Sequence, residues 1–511
     1  MKKTISLFLN LCFCALMIAQ GYRNPVIQGF HPDPSVVRVG QWFYLVNSSF
    51  QYFPGVPVYR SADLVNWQLI GNVLDRPSQL PLKGASSWLG IYAPTIRYHE
   101  GIYYVITTNV GNGGNFMVTA TQPEGPWSEP IWLKQQGIDP SLFFDNGKCY
   151  MVSNPDNTIT LCEIDPKTGQ QLSPGKAIWR GTGGRYPEGP HLYKKDGYYY
   201  LLISEGGTEL AHGLTMARSR QIEGPYEANP DNPVLTNCCM DGQDKQIQGT
   251  GHGDLVQAAD GSWWMVLLAY RNFGGSYHHL GRETCLVPVE WHQGQWPVVN
   301  GGRGVDTLMT VPTLPLQPIK NTAHSTAKGF SQLGPEWVYL QNPRADSYKI
   351  IDGKLRLYAS AEGLDANRQP TFVGRRQESA AMQLTTEIDV SRLQQGDEAG
   401  ISVYQIANGH YDLFARRVRG GRYQVYLRYR VKSLMQEKLL KTTTARRIVL
   451  SVSSDGLNYR FAPGQMEQCK AVETLETSLL STEVVGGFTG VTVGMFATGT
   501  GYADFLRFDY R

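Results

Sequence analysis

The chain has 511 residues, and its composition excludes an intrinsically disordered protein. Aromatic residues make up 11% and charged residues 18% of the sequence, while 55 Gly and 29 Pro indicate many turns. The net charge is only +3, so no strong field attracts nucleic acid or a membrane surface. A neutral or weakly charged ligand is the better expectation.

The N-terminus has the pattern of a secretory signal peptide. Lys2 and Lys3 precede an apolar run from Ile5 to Ile18, which is shorter than the ~20 residues that a membrane span needs. We therefore expect residues 1–20 to be removed on export. The mature protein is then periplasmic or extracellular, with no membrane span.

One phrase recurs five times and organises the first three hundred residues. Each copy starts at a lead residue, passes through a short strand and a Gly-containing turn, and reaches an aromatic residue eleven positions after the lead. Successive leads lie 46 to 64 residues apart, close to the ~50 residues of a four-stranded propeller blade. We predict a five-bladed β-propeller over residues 21–310. The lead residues and their aromatics are Asp33 and Tyr44, Ala93 and Tyr104, Asp139 and Tyr150, Glu188 and Tyr199, and His252 and Trp263.

The second half of the chain has a different pattern. Residues 311–328 contain Pro, Ser and Thr and are typical of a linker. Residues 329–511 hold no copy of the repeat but several hairpin signals, such as Asp352-Gly353 and Asn408-Gly409. The alternation from Tyr423 to Val431 is that of a half-buried antiparallel strand. We predict a β-sandwich here, and so an all-β chain.

Cysteine usage indicates neither a disulfide framework nor structural zinc, because six scattered cysteines follow the leader and no CxxC spacing occurs. Cys149 and Cys162 flank a predicted hairpin, where both a disulfide and two buried free thiols are compatible with the spacing. The six cysteines are Cys149, Cys162, Cys238, Cys239, Cys285 and Cys469.

The repeat brings candidate catalytic groups together, because the innermost strands of propeller blades start at the same mouth of the central channel. Three leads are carboxylates, Asp33, Asp139 and Glu188, and a fourth is His252. A single acidic residue at a strand start is most often a solvated or turn-forming residue, but the shared position of three favours a functional cluster. Two carboxylates in different environments can divide acid and base roles in glycoside hydrolysis, and a third raises the pKa of the acid.

Other chemistries find less support in the sequence. It contains no GxSxG, HExxH or P-loop signature. His278 and His279 look like a metal pair, but adjacent residues of a strand point to opposite faces, so we do not expect them to bind one metal ion together.

Several phrases resemble glycoside hydrolase family 43, in the β-xylosidase variant with a C-terminal, concanavalin-like sandwich. The resemblance implies an inverting enzyme that removes single xylose units from the non-reducing ends of β-1,4-xylo-oligosaccharides, with terminal α-L-arabinofuranose as a second substrate to test. It implies no required cofactor. The phrases lie in both predicted domains and include Phe30-His31-Pro32-Asp33-Pro34-Ser35, Phe53-Pro54-Gly55-Val56-Pro57-Val58-Tyr59, Ala93-Pro94-Thr95-Ile96-Arg97-Tyr98, Ile138-Asp139-Pro140-Ser141, Glu188-Gly189-Pro190-His191, Leu280-Gly281-Arg282-Glu283-Thr284 and Gly374-Arg375-Arg376-Gln377.

The same resemblance implies residue roles. Asp33 matches the general base, Glu188 the general acid, and Asp139 the residue that tunes and orients this acid. Arg282 matches a residue that binds hydroxyls of the terminal sugar. Tyr92 and Phe53 match residues that shape the sugar pocket, although Tyr92 replaces a frequent tryptophan; ordinary blade packing is the alternative for both aromatics.

His252 matches a histidine that in some relatives helps to hold a hydrated calcium ion in the channel; a purely structural histidine is the alternative. For the sandwich, the resemblance favours closure of the pocket rim over polysaccharide binding. Two other functions stay open at this point. One is an α-L-arabinofuranosidase acting on side chains of arabinan, galactan or arabinoxylan, and the other is a non-catalytic carbohydrate-binding propeller. Phosphorolysis is a further option.

Overall fold

The structure is a computed structural model that describes residues 21–238, 246–319, 326, 328–470 and 472–511. The predicted signal peptide, Cys239 and part of the predicted linker lie outside the described residues. No helix in the described part of the chain is long and apolar enough to cross a membrane.

Five antiparallel sheets follow one another between residues 35 and 299 and form the blades of a propeller. The first strand of each sheet contacts the first strands of the sheets before and after it, and the fifth contacts the first. This ring of contacts confirms the predicted five-bladed propeller. From the channel outwards, the strands are Ser35–Val39, Trp42–Val46, Gly55–Ser61 and Gln68–Leu74 in blade one; Thr95–His99, Ile102–Val110, Gly114–Ala120 and Ile131–Trp132, with Gly90–Ile91, in blade two; Ser141–Asp145, Lys148–Ser153, Ile159–Ile164 and Lys176–Trp179 in blade three; Glu188–Lys195, Tyr198–Glu205, Gly213–Ser219 and Glu227–Ala228, with Leu235–Thr236, in blade four; and Ile247–Gln257, Trp263–Arg271, Arg282–Glu290 and Val298–Val299 in blade five.

The N-terminal segment closes the ring along blade five. Tyr22–Arg23 pairs with Leu308–Met309, and the Asn24 side chain donates to the Leu286 carbonyl at 2.9 Å. Ile27 forms a bridge with Thr284. The segment therefore ties the start of the propeller to its last blade.

Two sheets pack face to face from residue 348 to residue 510 and form the predicted sandwich, whose apolar core lies between them. The only α-helix among the described residues is the single turn Thr482–Val485, which agrees with an all-β chain. The seven-stranded sheet has the order Tyr348–Ile351, Lys354–Tyr358, Tyr502–Tyr510, Ala381–Asp389, Arg447–Asp455, Asn458–Ala462 and Glu473–Glu476, and the six-stranded sheet has the order Thr371–Arg376, Thr492–Thr498, Glu398–Ile406, Gly409–Arg417, Tyr423–Val431 and Leu434–Thr443. Short 3-10 turns occupy Pro155–Asn157, Asn300–Gly302, Arg419–Gly421, Met466–Gln468 and Ser478–Leu480.

The sandwich is packed against the propeller rather than tethered beside it. Tyr52–Phe53 of blade one pairs with Tyr339–Leu340, and Phe30 and Phe50 share an apolar cluster with aromatic residues of the six-stranded sheet. The described part of the predicted linker also lies on the propeller, because the Gln317 amide donates to Asp63 Oδ2 at 2.7 Å.

Cys149 and Cys162 are buried free thiols on neighbouring strands of blade three. Burial raises the pKa of each thiol to about 12, so both stay protonated at neutral pH. Of the two alternatives that the spacing left open, the structure adopts the free thiols.

Candidate active site

The three predicted carboxylates meet at one mouth of the channel. Asp33 and Asp139 stand two residues before the innermost strands of blades one and three, and Glu188 begins the innermost strand of blade four. The charges of Glu188 and Asp33 both act on Asp139, and the amide of Gly189 donates to Asp139 Oδ2 at 3.1 Å. The three side chains therefore form one cluster.

Strand pairing corrects the register that the repeat predicted for blade four. Ser35 of blade one and His191 of blade four occupy the same ladder position, because each pairs with the residue eleven positions further along. The equivalent of Asp33 is therefore Gly189, and Glu188 lies one residue earlier.

Steric crowding explains this offset. Gly189 has a positive φ of 59°, close to the 53° of Asp33 and the 54° of Asp139. A Cβ atom at Gly189 would lie 3.0 Å from the ring of His252. Because the imidazole fills the space that a side chain would need, blade four presents its carboxylate from the preceding residue, Glu188.

Asp33 is held in its ionised form. Ser48 donates its hydroxyl to Oδ2 at 2.5 Å, and Arg282 Nη1 donates to Oδ1 at 3.2 Å. Burial alone raises the pKa of Asp33, but the charges of Arg282 and His252 and the bond from Ser48 outweigh it. The net pKa lies below the usual value, so Asp33 is a carboxylate at neutral pH.

Asp139 has the opposite environment. Its residue is only 5% exposed. Burial raises its pKa well above the usual value, and the negative charges of Glu188 and Asp33 raise it further. Asp139 therefore retains its proton at a pH at which Asp33 has lost its own.

Glu188 is more accessible than Asp139, with 18% of its side chain exposed. The fully buried His212 places Nε2 3.5 Å from Glu188 Oε1, and its Nδ1 lies 3.3 Å from the Gly249 carbonyl oxygen. Sequence analysis missed His212, because it lies outside the repeated phrase and approaches Glu188 only through the fold.

Arg282 links the carboxylate cluster to the sandwich. Besides Asp33, its Nη1 donates to Thr208 Oγ1 at 3.1 Å, and its Nη2 donates to the Phe488 carbonyl at 3.2 Å. The guanidinium also lies over the rings of Phe50 and Phe488, at 5.5 and 5.4 Å. Phe488 belongs to the sandwich, so both domains contribute to this site.

Aromatic rings form the wall beside Arg282. Tyr92 lies 5.1 Å from the ring of Phe50 and 5.9 Å from that of Phe488, and its hydroxyl donates to the Trp88 carbonyl at 2.6 Å. Burial raises the pKa of Tyr92 to about 12, and all three carboxylates add to the shift. The structure therefore brings Tyr92 to the predicted site. Trp88, 47% exposed, stands at the rim with its ring 4.8 Å from that of Phe488.

Phe53 packs elsewhere. It is 8% exposed, belongs to the core shared with the sandwich, and pairs through its backbone with Tyr339. This is the packing alternative considered for Phe53. The aromatic residue of the same segment that contacts Arg282 and Tyr92 is Phe50.

His252 lies in the channel between Asp33 and Gly189. Its backbone amide donates to Ser204 Oγ at 2.5 Å, and its Nδ1 lies 3.9 Å from Asp33 Oδ1. Burial lowers the pKa of His252, although the charges of Asp33 and Glu188 oppose this shift. Burial therefore makes His252 harder to protonate than a solvated imidazole.

The donors near His252 do not suit direct calcium binding. Calcium takes six to eight oxygen ligands, whereas this part of the channel offers the imidazoles of His252 and His212 and the carboxylate of Asp33. Within the described parts of the chain, no group of three or more His, Cys, Asp or Glu side chains could hold a metal ion. A water-mediated calcium ion at His252 stays a prediction.

Beneath the cluster, Asp254 connects four blades. Its side chain is fully buried, and its two oxygens accept five hydrogen bonds of 2.6 to 3.2 Å from Ser35, Val36, Arg97 and Tyr193. Burial raises the pKa of Asp254, but the charge of Arg97 and these bonds hold it well below its usual value. The channel floor is therefore a buried ionic network.

Together, these groups can provide the ionised carboxylate of Asp33, the protonated carboxyl of Asp139 and the accessible carboxyl group of Glu188 at the mouth of one aromatic-walled site. General base and general acid of that kind are what hydrolysis of a glycosidic bond requires. The fold and the site thus define a glycoside hydrolase.

Comparison with known proteins agrees with this assignment. Residues 22–297 match the model of glycosyl hydrolases family 43, and residues 329–511 match the β-xylosidase C-terminal concanavalin A-like domain. The chain belongs to glycoside hydrolase family 43.

Relatives align with the chain over nearly its whole length. A non-reducing end α-L-arabinofuranosidase of Bacteroides ovatus is 40% identical and covers 100% of this chain and 98% of its own. A xylosidase/arabinosidase of Butyrivibrio fibrisolvens is 38% identical over 95% of this chain and 98% of its own. The crystal structure of a xylan β-1,4-xylosidase from Bacillus halodurans has a TM-score of 0.88 at 33% identity, covering 96% of this chain and 100% of its own.

Proposed function

We propose that the protein is an exo-acting, inverting glycosidase that releases terminal xylose from β-1,4-xylo-oligosaccharides and also terminal α-L-arabinofuranose. The observation that carries this proposal is the meeting of the ionised Asp33, the protonated Asp139 and the accessible carboxyl group of Glu188 at one mouth of a family 43 propeller. Relatives named xylosidase/arabinosidase and arabinofuranosidase support both sugars.

In this proposal Asp33 is the general base. Its ionised carboxylate takes a proton from a water molecule, whose oxygen forms the new bond to the anomeric carbon. Ser48 and Arg282 fix the two oxygens of Asp33 from the protein side. Their bonds favour the ionised form that the base needs at the start of each turnover.

Glu188 is the general acid. It is more exposed than the neighbouring Asp139, so in its acid form it can donate a proton to the glycosidic oxygen as the bond to the anomeric carbon breaks. Asp139 accepts a hydrogen bond from the Gly189 amide and so holds the backbone next to Glu188. The products are the free sugar with inverted configuration and the shortened leaving group, and only side chains and water take part.

The terminal sugar binds beside Arg282 in this proposal. The guanidinium can donate to sugar hydroxyls, and the rings of Tyr92, Phe50 and Phe488 offer faces for its CH groups. Because Phe488 comes from the sandwich, the appended domain closes one side of the site. A pocket closed in this way favours removal of single terminal units over cleavage within a chain.

We further propose that the protein is exported to the periplasm or the medium. Lys2 and Lys3 followed by an apolar run of signal-peptide length support this location. N-terminal sequencing of the secreted product should find the mature chain beginning near residue 21; an intact leader on active cytosolic protein would contradict export.

The decisive experiment combines turnover with stereochemistry. Purified protein should hydrolyse 4-nitrophenyl β-D-xylopyranoside and 4-nitrophenyl α-L-arabinofuranoside, and ¹H NMR should detect α-xylose as the first product of the β-xyloside. The Asp33→Asn variant is the matched control and should lose at least a hundredfold in kcat. First formation of β-xylose would refute inversion, and a folded protein without turnover of either substrate would refute the function.

A second candidate is an α-L-arabinofuranosidase without useful xylosidase activity, which the 40% identity to the Bacteroides ovatus enzyme favours. Products from branched arabinoxylan oligosaccharides distinguish the two. Release of arabinose alone supports the second candidate, whereas stepwise shortening of the xylose backbone supports the first. Binding without turnover would indicate a carbohydrate-binding propeller, and a requirement for phosphate would indicate phosphorolysis.

A further inference from the structure

Two chain segments, one from each domain, run side by side next to the active site. The propeller segment comprises residues 278–282, and the sandwich segment comprises residues 483–491. Both ends of the propeller segment are bonded to the sandwich segment. His278 bonds Glu483, and Arg282 Nη2 donates to the Phe488 carbonyl at 3.2 Å. We call this pair of segments the seam.

The backbones of the two segments approach each other closely along the seam. The Val491 amide donates to the His279 carbonyl at 2.9 Å. A Cβ atom at Gly490 would lie 2.0 Å from the Leu280 carbonyl oxygen, and one at Gly281 would lie 2.7 Å from the Gly490 Cα. The backbones are therefore in direct contact, so a shift of either segment moves the other.

Two hydrogen bonds join Glu483 and His278 at the outer end of the seam. Glu483 accepts two hydrogen bonds from His278, one from its backbone amide at 3.1 Å and one from ring Nδ1 at 2.5 Å. The His278 ring stacks on Tyr270 at 4.1 Å and 16°. Burial raises the pKa of Glu483, but its bonds to His278 and the charge of that ring lower it below its usual value, so Glu483 is a carboxylate that can only accept.

His278 is also connected, through a series of contacts, to Glu188 on the acid side of the active site. Tyr270, on which it stacks, packs against Gly249, where a Cβ atom would lie only 2.1 Å from the tyrosine ring. The Gly249 carbonyl in turn contacts His212, which faces Glu188. One continuous set of contacts therefore runs from Glu483 to the carboxylate cluster.

We propose that Glu483 and His278 form a positioning pair that locks the seam and so holds the Phe488 carbonyl and ring against Arg282. Neither residue touches the carboxylates. They act through Arg282, which in turn fixes Asp33, and through Phe488, which closes the sugar pocket. The expected effect of this pair on turnover rests on the proposed function, whereas its expected effect on the structure of the seam does not.

The test compares Glu483→Ala and Glu483→Gln with the wild type. Glu483→Ala removes both bonds to His278 and should lower kcat/KM on 4-nitrophenyl β-D-xylopyranoside at least tenfold, mainly through KM. It should also move the acidic limb of the pH profile to higher pH, because a displaced Arg282 favours ionised Asp33 less. Glu483→Gln keeps one accepting oxygen and should recover part of the loss.

The matched control is Asn342→Ala, which also removes two interdomain hydrogen bonds but lies away from the seam. Asn342 accepts from the Leu82 amide and donates to the Leu80 carbonyl, both at 2.8 Å. We expect this control to change the melting temperature as much as Glu483→Ala does, while kcat/KM stays within twofold of the wild type. A general loosening of the interface would instead affect both variants alike.

Hydrogen exchange makes the test independent of turnover. Peptides covering 278–284 and 486–491 should exchange faster in Glu483→Ala but not in Asn342→Ala. Unchanged exchange in these peptides would overturn the positioning role even if the wild type proved inactive. With an active wild type, a Glu483→Ala variant whose kcat/KM and acidic limb are unaltered would overturn it as well. Absence of wild-type turnover with a faster-exchanging seam would refute only the proposed function.

Discussion

Replacement of Asp254 by Asn should destabilise the propeller because it removes the charge on which four blades converge. Asp254 is fully buried, whereas its partner Arg97 has 17% of its side chain exposed. Breaking a buried ion pair from one side costs about 3–5 kcal/mol. Because water partly screens the arginine that stays behind, we expect the lower end, about 3 kcal/mol.

Calorimetry at pH 7 measures this loss. One kcal/mol shifts the melting temperature of a large domain by about 2 °C, so Asp254→Asn should melt about 6 °C below the wild type. The matched control is Lys194→Gln, which breaks the exposed pair between blades four and three at 2.7 Å from Asp145. Exposed pairs contribute at most about 1 kcal/mol, so the control should shift by less than about 2 °C.

The pH dependence gives the same reasoning a second check. The folded-state pKa of Asp254 is depressed, so its stabilising effect is fully present above the unfolded carboxyl pKa of about 3.9 and fades as the pH falls below it. The difference in melting temperature between the wild type and Asp254→Asn should therefore become smaller in acid. An equal melting temperature at pH 7, or a gap that widens in acid, would refute the view of Asp254 as an ionic hub.

Two further predictions concern the catalytic groups. Glu188→Ala should reduce kcat/KM by about 10²–10⁴-fold on xylobiose, whose leaving group needs protonation, and far less on an activated nitrophenyl xyloside; equal losses on both would remove Glu188 from the acid role. Arg282→Met removes the charge that lowers the pKa of the buried Asp33, so that pKa rises and the acidic limb of kcat/KM moves to higher pH. Arg282→Lys keeps the charge and should leave the limb nearly in place, and an identical shift in both variants would contradict this electrostatic role.

The propeller could be predicted from the sequence because each blade is a local structural unit, and the sequence pattern of that unit recurs five times. Each hairpin depends on residues that are close in sequence, such as Trp42–Val46 with Ser35–Val39, and these strands form where expected. The grouping of Asp33 and Asp139 followed from the same logic. The offset of Glu188 did not, because it depends on the His252 ring, which approaches Gly189 from another blade.

Contacts between segments that are far apart in the sequence could not be predicted, because they form only when the chain folds. Phe488 lies more than two hundred residues from Arg282, and no local pattern marks its carbonyl as an acceptor. His212 likewise reaches Glu188 only through folding. Phe53 and Phe50 lie three residues apart in one aromatic segment, and only the pairing of Phe53 with Tyr339 shows which ring turns towards the sandwich core.

The two halves of the proposed mechanism are supported by different parts of the molecule. The acid side, Asp139 and Glu188, is contacted by two propeller groups, the Gly189 amide and His212. The base side depends on Arg282, one of whose nitrogens is held by the Phe488 carbonyl of the sandwich. Since an ionised Asp33 needs the charge of Arg282 against the effect of burial, the sandwich contributes to the state of the base as well as to the pocket wall. In the proposed mechanism, the appended domain is therefore part of the catalytic unit.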